Sequence, residues 1–275
     1  MYPAIFARTY PLGPVDQLLS AIGQDGYEGM QFNLSCLGLP SLPDAVPTDE
    51  LTAFAEVSRK RGLAIAGLSG TYNMAHPDAE IRRAARARFA NVVAAATLLG
   101  APIVTLCTGS RNADDMWAAH PDNASPAAWA DLRAELDAAL ELAEKHDVQL
   151  GIEPEPGNVV ADAGLARRIL DETGNRRLGI ILDAANLVGA RLGDQARVME
   201  EAVDLLGERI ILAHAKDIDR TGTVVATGAG AVDLHRFLRL LRSCGYDQAV
   251  VAHGFEQKDA AGSGAALRAL LEDVS

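Results

Sequence analysis

What the chain lacks narrows its chemistry before any motif is read. Three cysteines in 275 residues, Cys36, Cys107 and Cys244, stand far apart with no C-x-x-C pair. That fits reduced thiols packed as small apolar groups rather than a disulfide framework. No run of about 18 apolar residues exists, so no membrane-spanning helix is expected. The opening stretch MYPAIFARTYPLG pairs no charged segment with a long apolar one, so secretion is not expected and a cytoplasmic location is. A basic excess is missing too: 25 Lys+Arg face 37 Asp+Glu, a net charge of −12. Nucleic-acid binders gain affinity by releasing counterions from phosphates with a basic face, so DNA and RNA are unlikely partners and a small metabolite is expected. Low-complexity composition is absent as well, and 49% hydrophobic residues suffice for a full-sized core.

What is present is alternation. Short apolar runs recur at Ala4 to Ala7, Gly29 to Phe32, Leu63 to Leu68, Ile103 to Cys107, Gln149 to Ile152, Gly179 to Leu182, Ile210 to Ala213 and Ala249 to Ala252. After each comes a longer segment with helical spacing of apolar residues, clearest at Ile81, Ala84, Ala85, Phe89, Val92, Val93 and Ala96, and at Trp129, Leu132, Leu136, Leu140 and Ala143. Further helices are expected over about 14–23, 48–61, 161–173, 191–206, 233–243 and 263–272. Glycines able to adopt positive φ close several of them, at Gly62, Gly100, Gly174, Gly207 and Gly245. Eight strand and helix units with no Pro/Gly/Ser-rich linker predict one domain over 1–275, a (β/α)8 TIM barrel of α/β class. A doubly wound open sheet is disfavoured, because no G-x-G-x-x-G follows the first strand.

Chemistry in such a barrel sits at the carboxyl ends of the strands. Strand three is followed by Thr71, Asn73 and His76, and strand four by Thr108, Arg111, Asn112, Trp117 and His120. Strand five ends in Glu153-Pro-Glu155-Pro-Gly-Asn158, strand six in Asp183-Ala-Ala-Asn186, strand seven in His214-Ala-Lys216-Asp217 and strand eight in His253-Gly-Phe-Glu256. Four of the six histidines thus share one face. Carboxylates and imidazoles converging from four consecutive strands form a mixed O/N ligand set, suited to Mn²⁺, Mg²⁺, Co²⁺ or Zn²⁺. Each residue has a plainer reading. Glu153 could pair with a nearby Arg or Lys, Asp183 could cap a turn, His214 could be a neutral core histidine, and His253, Glu256, His76 and His120 could be loop residues. Their joint placement is what favours a site. His146, His235 and the Arg82 to Arg88 stretch read as solvent-facing helix positions. Gly222 to Gly230 lacks the G-K-[ST] ending of a phosphate loop and reads as a connection leading to Asp233 as helix cap.

In the motifs Gly-Ile-Glu153-Pro, Leu-Asp183-Ala-Ala-Asn186-Leu, His214-Ala-Lys216-Asp217, Asn73-Met-Ala-His76-Pro-Asp and the Gly245-Tyr-Asp lead into strand eight, the chain resembles the xylose isomerase-like barrel superfamily over essentially its whole length. The resemblance implies one divalent metal ion, Mn²⁺ first, held by Glu153, Asp183, His214 and a fourth ligand. Relatives carry Glu where His253 stands, with Glu256 three residues on, so either could complete the set. Many relatives carry His where Asn186 stands, and its absence disfavours a trinuclear zinc centre of endonuclease type. The implied function is a sugar or keto-polyol isomerase or epimerase working through a metal-stabilised enediolate. Glu153 would be the first base, Glu256 or His253 its partner, and Lys216 would balance the developing oxyanion. Asn73, His76, Arg111, Trp117, His120 and Asn186 would line the carbohydrate pocket. The runners-up are a dehydratase or lyase of a keto-sugar, keto-inositol or 3-keto-glycoside on the same metal site, and a catalytically silent sugar-binding barrel. Self-association is left open.

Overall fold

A buried strand at the centre of an α/β protein is covered on both faces, which is why its sequence reads as a continuous apolar run. In the computed structural model, which describes residues 1–189 and 191–275, the eight runs form eight parallel strands closed into a barrel. In chain order they are Tyr2–Phe6, Gly29–Phe32, Ala64–Ser69, Ile103–Cys107, Gln149–Glu153, Leu178–Asp183, Ile210–His214 and Ala249–Ala252. The last pairs with the first, Tyr2 opposite Ala249 and Ile5 opposite Ala252, and that pairing closes the ring. Strands five, six and seven extend one residue past the expected ends, so Glu153, Asp183 and His214 are the terminal residues of their strands.

The expected helices form as well, including Val15–Gln24, Thr48–Lys60, Ala79–Leu99, Pro126–His146, Ala163–Thr173, Gln195–Leu206, Leu234–Ser243 and Ala260–Asp273. Between the helices and the outer face of the barrel lies the main core, with Phe32, Phe54, Phe89 and Phe237 fully buried. Inside the ring is a second, smaller cluster of Ala4, Ala66, Ile103, Ile181, Leu212, Ala249 and Val251. Small residues are needed where neighbouring strands fill that interior: a Cβ on Gly179 would lie 2.6 Å from Ile211.

One helix-end expectation needs correction. Gly207 does not close its helix with positive φ; at φ −46° it enters a 3-10 turn over Gly207–Arg209. Glycine is required there because a Cβ would lie 2.8 Å from Cys244 Cβ. The Pro126–His146 helix is closed by Asp147 at φ 54°, the one non-glycine residue with positive φ among the described residues. Asp can occupy that region with a short polar side chain. The Arg82 to Arg88 stretch is not wholly solvated either. Arg82 is buried, pairing with Asp131 at 3.0 Å and Glu135 at 3.7 Å, while Arg86 meets Glu135 at 2.9 Å.

Candidate metal and substrate site

The four residues read from the ends of strands five to eight converge. One ligand atom from each of Glu153, Asp183, His214 and His253 falls within 4.8 Å of the others. His253 Nε2 lies 2.9 Å from Asp183 Oδ2, and His214 Nδ1 lies 3.4 Å from Glu153 Oε2 and 3.8 Å from Asp183 Oδ2. The two imidazoles meet edge to face with centroids 4.6 Å apart. Asp183 fulfils both of its readings: Oδ1 accepts from Asn186 N at 2.9 Å, capping the short helix Ala184–Val188, while Oδ2 faces the histidines.

A layer of polar side chains inside the barrel orients this cluster. Gln31 Oε1 lies 2.8 Å from His214 Nε2 and, as an amide oxygen, can only accept there. The Gln31 amide nitrogen donates to Ser69 Oγ at 3.2 Å and Thr105 Oγ1 at 3.3 Å. With Nε2 against Gln31, His214 Nδ1 faces Glu153 and Asp183; burial opposes a proton on this imidazole, but the two carboxylates outweigh it and hold its pKa above the ordinary value. The Nδ1 atom is buried without a hydrogen-bond partner among the described residues. A buried imidazole nitrogen without a hydrogen-bond partner, aimed at two carboxylates, is a position that a proton or a cation satisfies, and a ligand histidine held at its other nitrogen is the usual outer-shell device. The donor set thus fits a divalent ion.

Burial opposes the charge on Asp183, but the Lys216 ammonium, the His253 hydrogen bond and the imidazoles outweigh it and hold its carboxyl at about 2. Burial likewise opposes ionisation of Glu153, and His214 more than offsets it, leaving the carboxyl below the ordinary range. His253 is pushed down, chiefly by burial. Lys216 sits 3.9 Å from Asp183 and donates to Asn186 Oδ1, while Asn186 Nδ2 donates to Glu153 Oε1 at 2.8 Å. Asn186 therefore bridges Lys216 and Glu153.

Above the cluster lies a cavity of about 250 Å³ lined by Arg8, Gln31, Asn33, Thr71, Trp117, Glu153, Glu155, His214 and His253 among others. A larger cavity, about 1000 Å³, opens at the other end of the barrel against Tyr2, Ile65, Ile103 and Ile211, remote from the titratable cluster. The smaller one adjoins the titratable cluster.

Several sequence expectations fail here for physical reasons. Glu256, expected as second base or fourth ligand, points to solvent with 78% of its side chain exposed, paired with Lys258 at 2.8 Å. Asn73 does not line the cavity; its side chain donates to Ser110 O and accepts from Ser110 N, tying two loops together. His76 is buried and its Nδ1 accepts from Asp78 N at the head of a helix. Arg111 is taken up by Asp131 at 2.7 Å, and His120 Nδ1 accepts from Asp122 N. Trp117 does reach the cavity rim, half-exposed, and Asn186 touches the ligand cluster. Sequence reasoning passed over Gln31, Arg8 and Glu155. Gln31 had a signal, as the one polar residue inside the apolar run Gly29–Phe32. Burial and the charge of Glu153 push the Glu155 carboxyl up to about 8.

A family model described as xylose isomerase-like TIM barrel matches residues 18–272. The chain belongs to the xylose isomerase-like TIM barrel family. Solved structures share its fold: a D-tagatose 3-epimerase-like protein is 17% identical with a TM-score of 0.79, covering 100% of this chain and 98% of the other. The 3-keto-D-glucoside 4-epimerase of E. coli is 17% identical with a TM-score of 0.75, covering 98% of this chain and 97% of its own. The IOLI protein, solved with a bound zinc atom, is 18% identical with a TM-score of 0.74, covering 100% of this chain and 98% of its own. None of the curated proteins searched matches the sequence significantly. Among the described residues of this family member, no helix is long and apolar enough to cross a membrane.

Proposed function

We propose that this chain is a divalent-metal-dependent isomerase or epimerase of a sugar or related keto-polyol. The observation that carries the reading is the convergence of Glu153, Asp183, His214 and His253 within 4.8 Å from four consecutive strand ends. These four residues would hold one ion. Two carboxylates and two imidazoles suit Mn²⁺, Co²⁺ or Zn²⁺, and suit Mg²⁺ less well because it favours oxygen ligands and retained waters. When bound, such an ion supplies Lewis-acid polarisation of a substrate carbonyl, which acidifies the neighbouring C–H.

Glu153 is positioned as the base that takes that proton, since its carboxylate lines the cavity and is oriented by Asn186. With Glu256 in solvent, Glu155 is the other carboxyl group facing the same cavity and serves as the group that returns the proton. Lys216, between Asp183 and Asn186, adds fixed positive charge beside the reacting atoms. Trp117 offers an apolar face at the rim for a sugar ring.

A panel of ketoses, keto-inositols and 3-keto-glycosides in deuterated water with Mn²⁺ tests the reading. Deuterium entering the carbon beside the carbonyl, without loss of water or aglycone, is expected. Elimination would instead establish a dehydratase or lyase. Absence of exchange with every substrate sinks the proton-transfer proposal. A protein that holds no divalent ion, and whose Glu153→Gln variant binds sugars as before, is a silent sugar-binding barrel.

A further inference from the structure

The cavity has two unlike walls. Strands five to eight supply the ligand cluster, and strand one, which lies between strands eight and two in the ring, stands across the barrel from strand five. On that far wall are Arg8, Asn33 and Thr71. Arg8 occupies the 3-10 turn Ala7–Thr9 that directly follows strand one. The turn is fixed by Tyr10 N donating to Ala7 O at 3.1 Å and by the Tyr10 hydroxyl donating to Asp25 at 2.7 Å.

The neighbouring loops and helices neutralise their arginines. Arg82 and Arg111 both meet Asp131, and Arg86 meets Glu135. Arg8 has neither an ion pair nor a hydrogen bond among the described residues, although acidic residues outnumber basic ones by 37 to 25. It is also the one Lys or Arg lining this cavity among the described residues. The local charge balance points the same way. With a divalent ion bound, the ion, Lys216 and Arg8 together carry one positive charge more than Glu153, Asp183 and Glu155 can offset, even with all three ionised.

We propose that Arg8 receives a negatively charged group of the substrate, so that the ligand is an anionic keto-polyol whose carboxylate or phosphate lies at the end remote from the metal cluster. The guanidinium fork matches either anion. A volume near 250 Å³ sits at the lower edge of small-molecule sites, in keeping with one sugar unit rather than a glycoside bearing a large aglycone. This inference rests on the metal-and-sugar reading of the site and adds the charge class of the substrate.

The test uses the full chain loaded with Mn²⁺ and the Arg8→Gln variant, with calorimetric titration of a sugar acid, a sugar phosphate and an uncharged polyol of equal carbon number, and with bound metal measured in parallel. One or both anions should bind the parent protein about tenfold more tightly than the polyol, and the anion that gains tells carboxylate from phosphate. Arg8→Gln should remove that preference while leaving bound metal and polyol affinity unchanged, and added salt should shrink it because Arg8 is exposed. Equal affinity for all three ligands, or a variant that weakens all three alike, overturns the assignment of Arg8 and leaves the sugar site standing. If no ligand of any charge binds the metal-loaded protein, both fall together.

Discussion

Metal binding should be readable as stability, and the size of the effect follows from linkage. An ion that binds only the folded chain, present at 100 times its dissociation constant, stabilises by about 2.7 kcal/mol. Unfolding entropy of about 2.1 cal/mol/K per residue gives roughly 0.58 kcal/mol/K for 275 residues. The melting temperature of chelator-stripped protein should therefore rise by about 5 °C on adding the preferred ion, followed by scanning calorimetry with Mn²⁺, Co²⁺, Zn²⁺ and Mg²⁺ in turn. Asp183→Asn is the informative variant. It keeps an oxygen to accept from Asn186 N, so the cap survives, but it removes the negative charge shared with His253 and His214. Its metal-dependent rise should fall to near zero. Glu256→Gln should retain the full rise, because that side chain lies in solvent beside Lys258. No rise with any of the four ions, or an undiminished rise in Asp183→Asn, would refute the assignment of the cluster as a metal site.

Three further outcomes are expected. Glu135→Ala removes the carboxylate of partly exposed Arg86 and leaves Arg82 with Asp131 alone, and should cost about 1–3 kcal/mol, a fall of roughly 2–5 °C at the entropy above; a loss under about 0.5 kcal/mol in thermal unfolding would contradict the ion-pair account. Gly157→Ala would place a Cβ 2.0 Å from the Trp117 carbonyl oxygen, so the loop carrying Trp117 must shift, at about 1–3 kcal/mol, and limited proteolysis should cut near residues 109–123 faster than in the parent. Glu155, whose folded carboxyl is raised to about 8, holds a proton that the unfolded chain releases near pH 4.3. Its contribution is thus fully present below that pH and lost as pH rises toward 8, so metal-free Glu155→Gln should lose less stability than the parent between pH 5 and 8 in urea titrations.

The barrel was legible because its signal is periodic and repeated. Buried strands read as apolar runs, and three of the eight, Gly29–Phe32, Ile103–Cys107 and Ala249–Ala252, begin and end where the sequence placed them. The ligand cluster was legible for a related reason: a residue terminating a barrel strand has a fixed position, so Glu153, Asp183, His214 and His253 could be brought together without knowing any loop path. The loops were not legible, because Asn, His and Arg serve loop clamps as readily as sugar hydroxyls. Asn73 bonds Ser110 in both directions, and Arg111 meets Asp131, a helix residue twenty positions on whose side chain nothing local predicts. Glu256 stands four residues beyond the end of its strand, where position is no longer set by the barrel, and it lies in solvent beside Lys258. Arg8 and Glu155 follow strand ends and Gln31 lies inside a strand, but only the closed ring, which sets strand one opposite strand five, brings them to one cavity.

The electrostatics of the cluster explain why a cation should couple to folding rather than sit on a finished site. Two carboxylates from adjacent strands face His214 Nδ1, Glu153 at 3.4 Å and Asp183 at 3.8 Å, while Gln31 holds Nε2 at 2.8 Å. The fixed positive charge nearest Asp183 is Lys216, at 3.9 Å and already donating to Asn186. One ammonium cannot balance two carboxylates, and a buried charge without its counter-charge is costly; burial opposes a proton on His214, but Glu153 and Asp183 outweigh it and raise that imidazole's pKa, so the metal-free site draws a proton there. His253 can relieve this by taking up a proton, but burial pushes its pKa down. A divalent ion would balance Glu153 and Asp183 and take the place of that proton on His214, leaving both imidazoles neutral. On the proposed reading, two carboxylates and two neutral imidazoles match the charge of a single divalent cation, and the free energy of ion binding would become part of the free energy of folding.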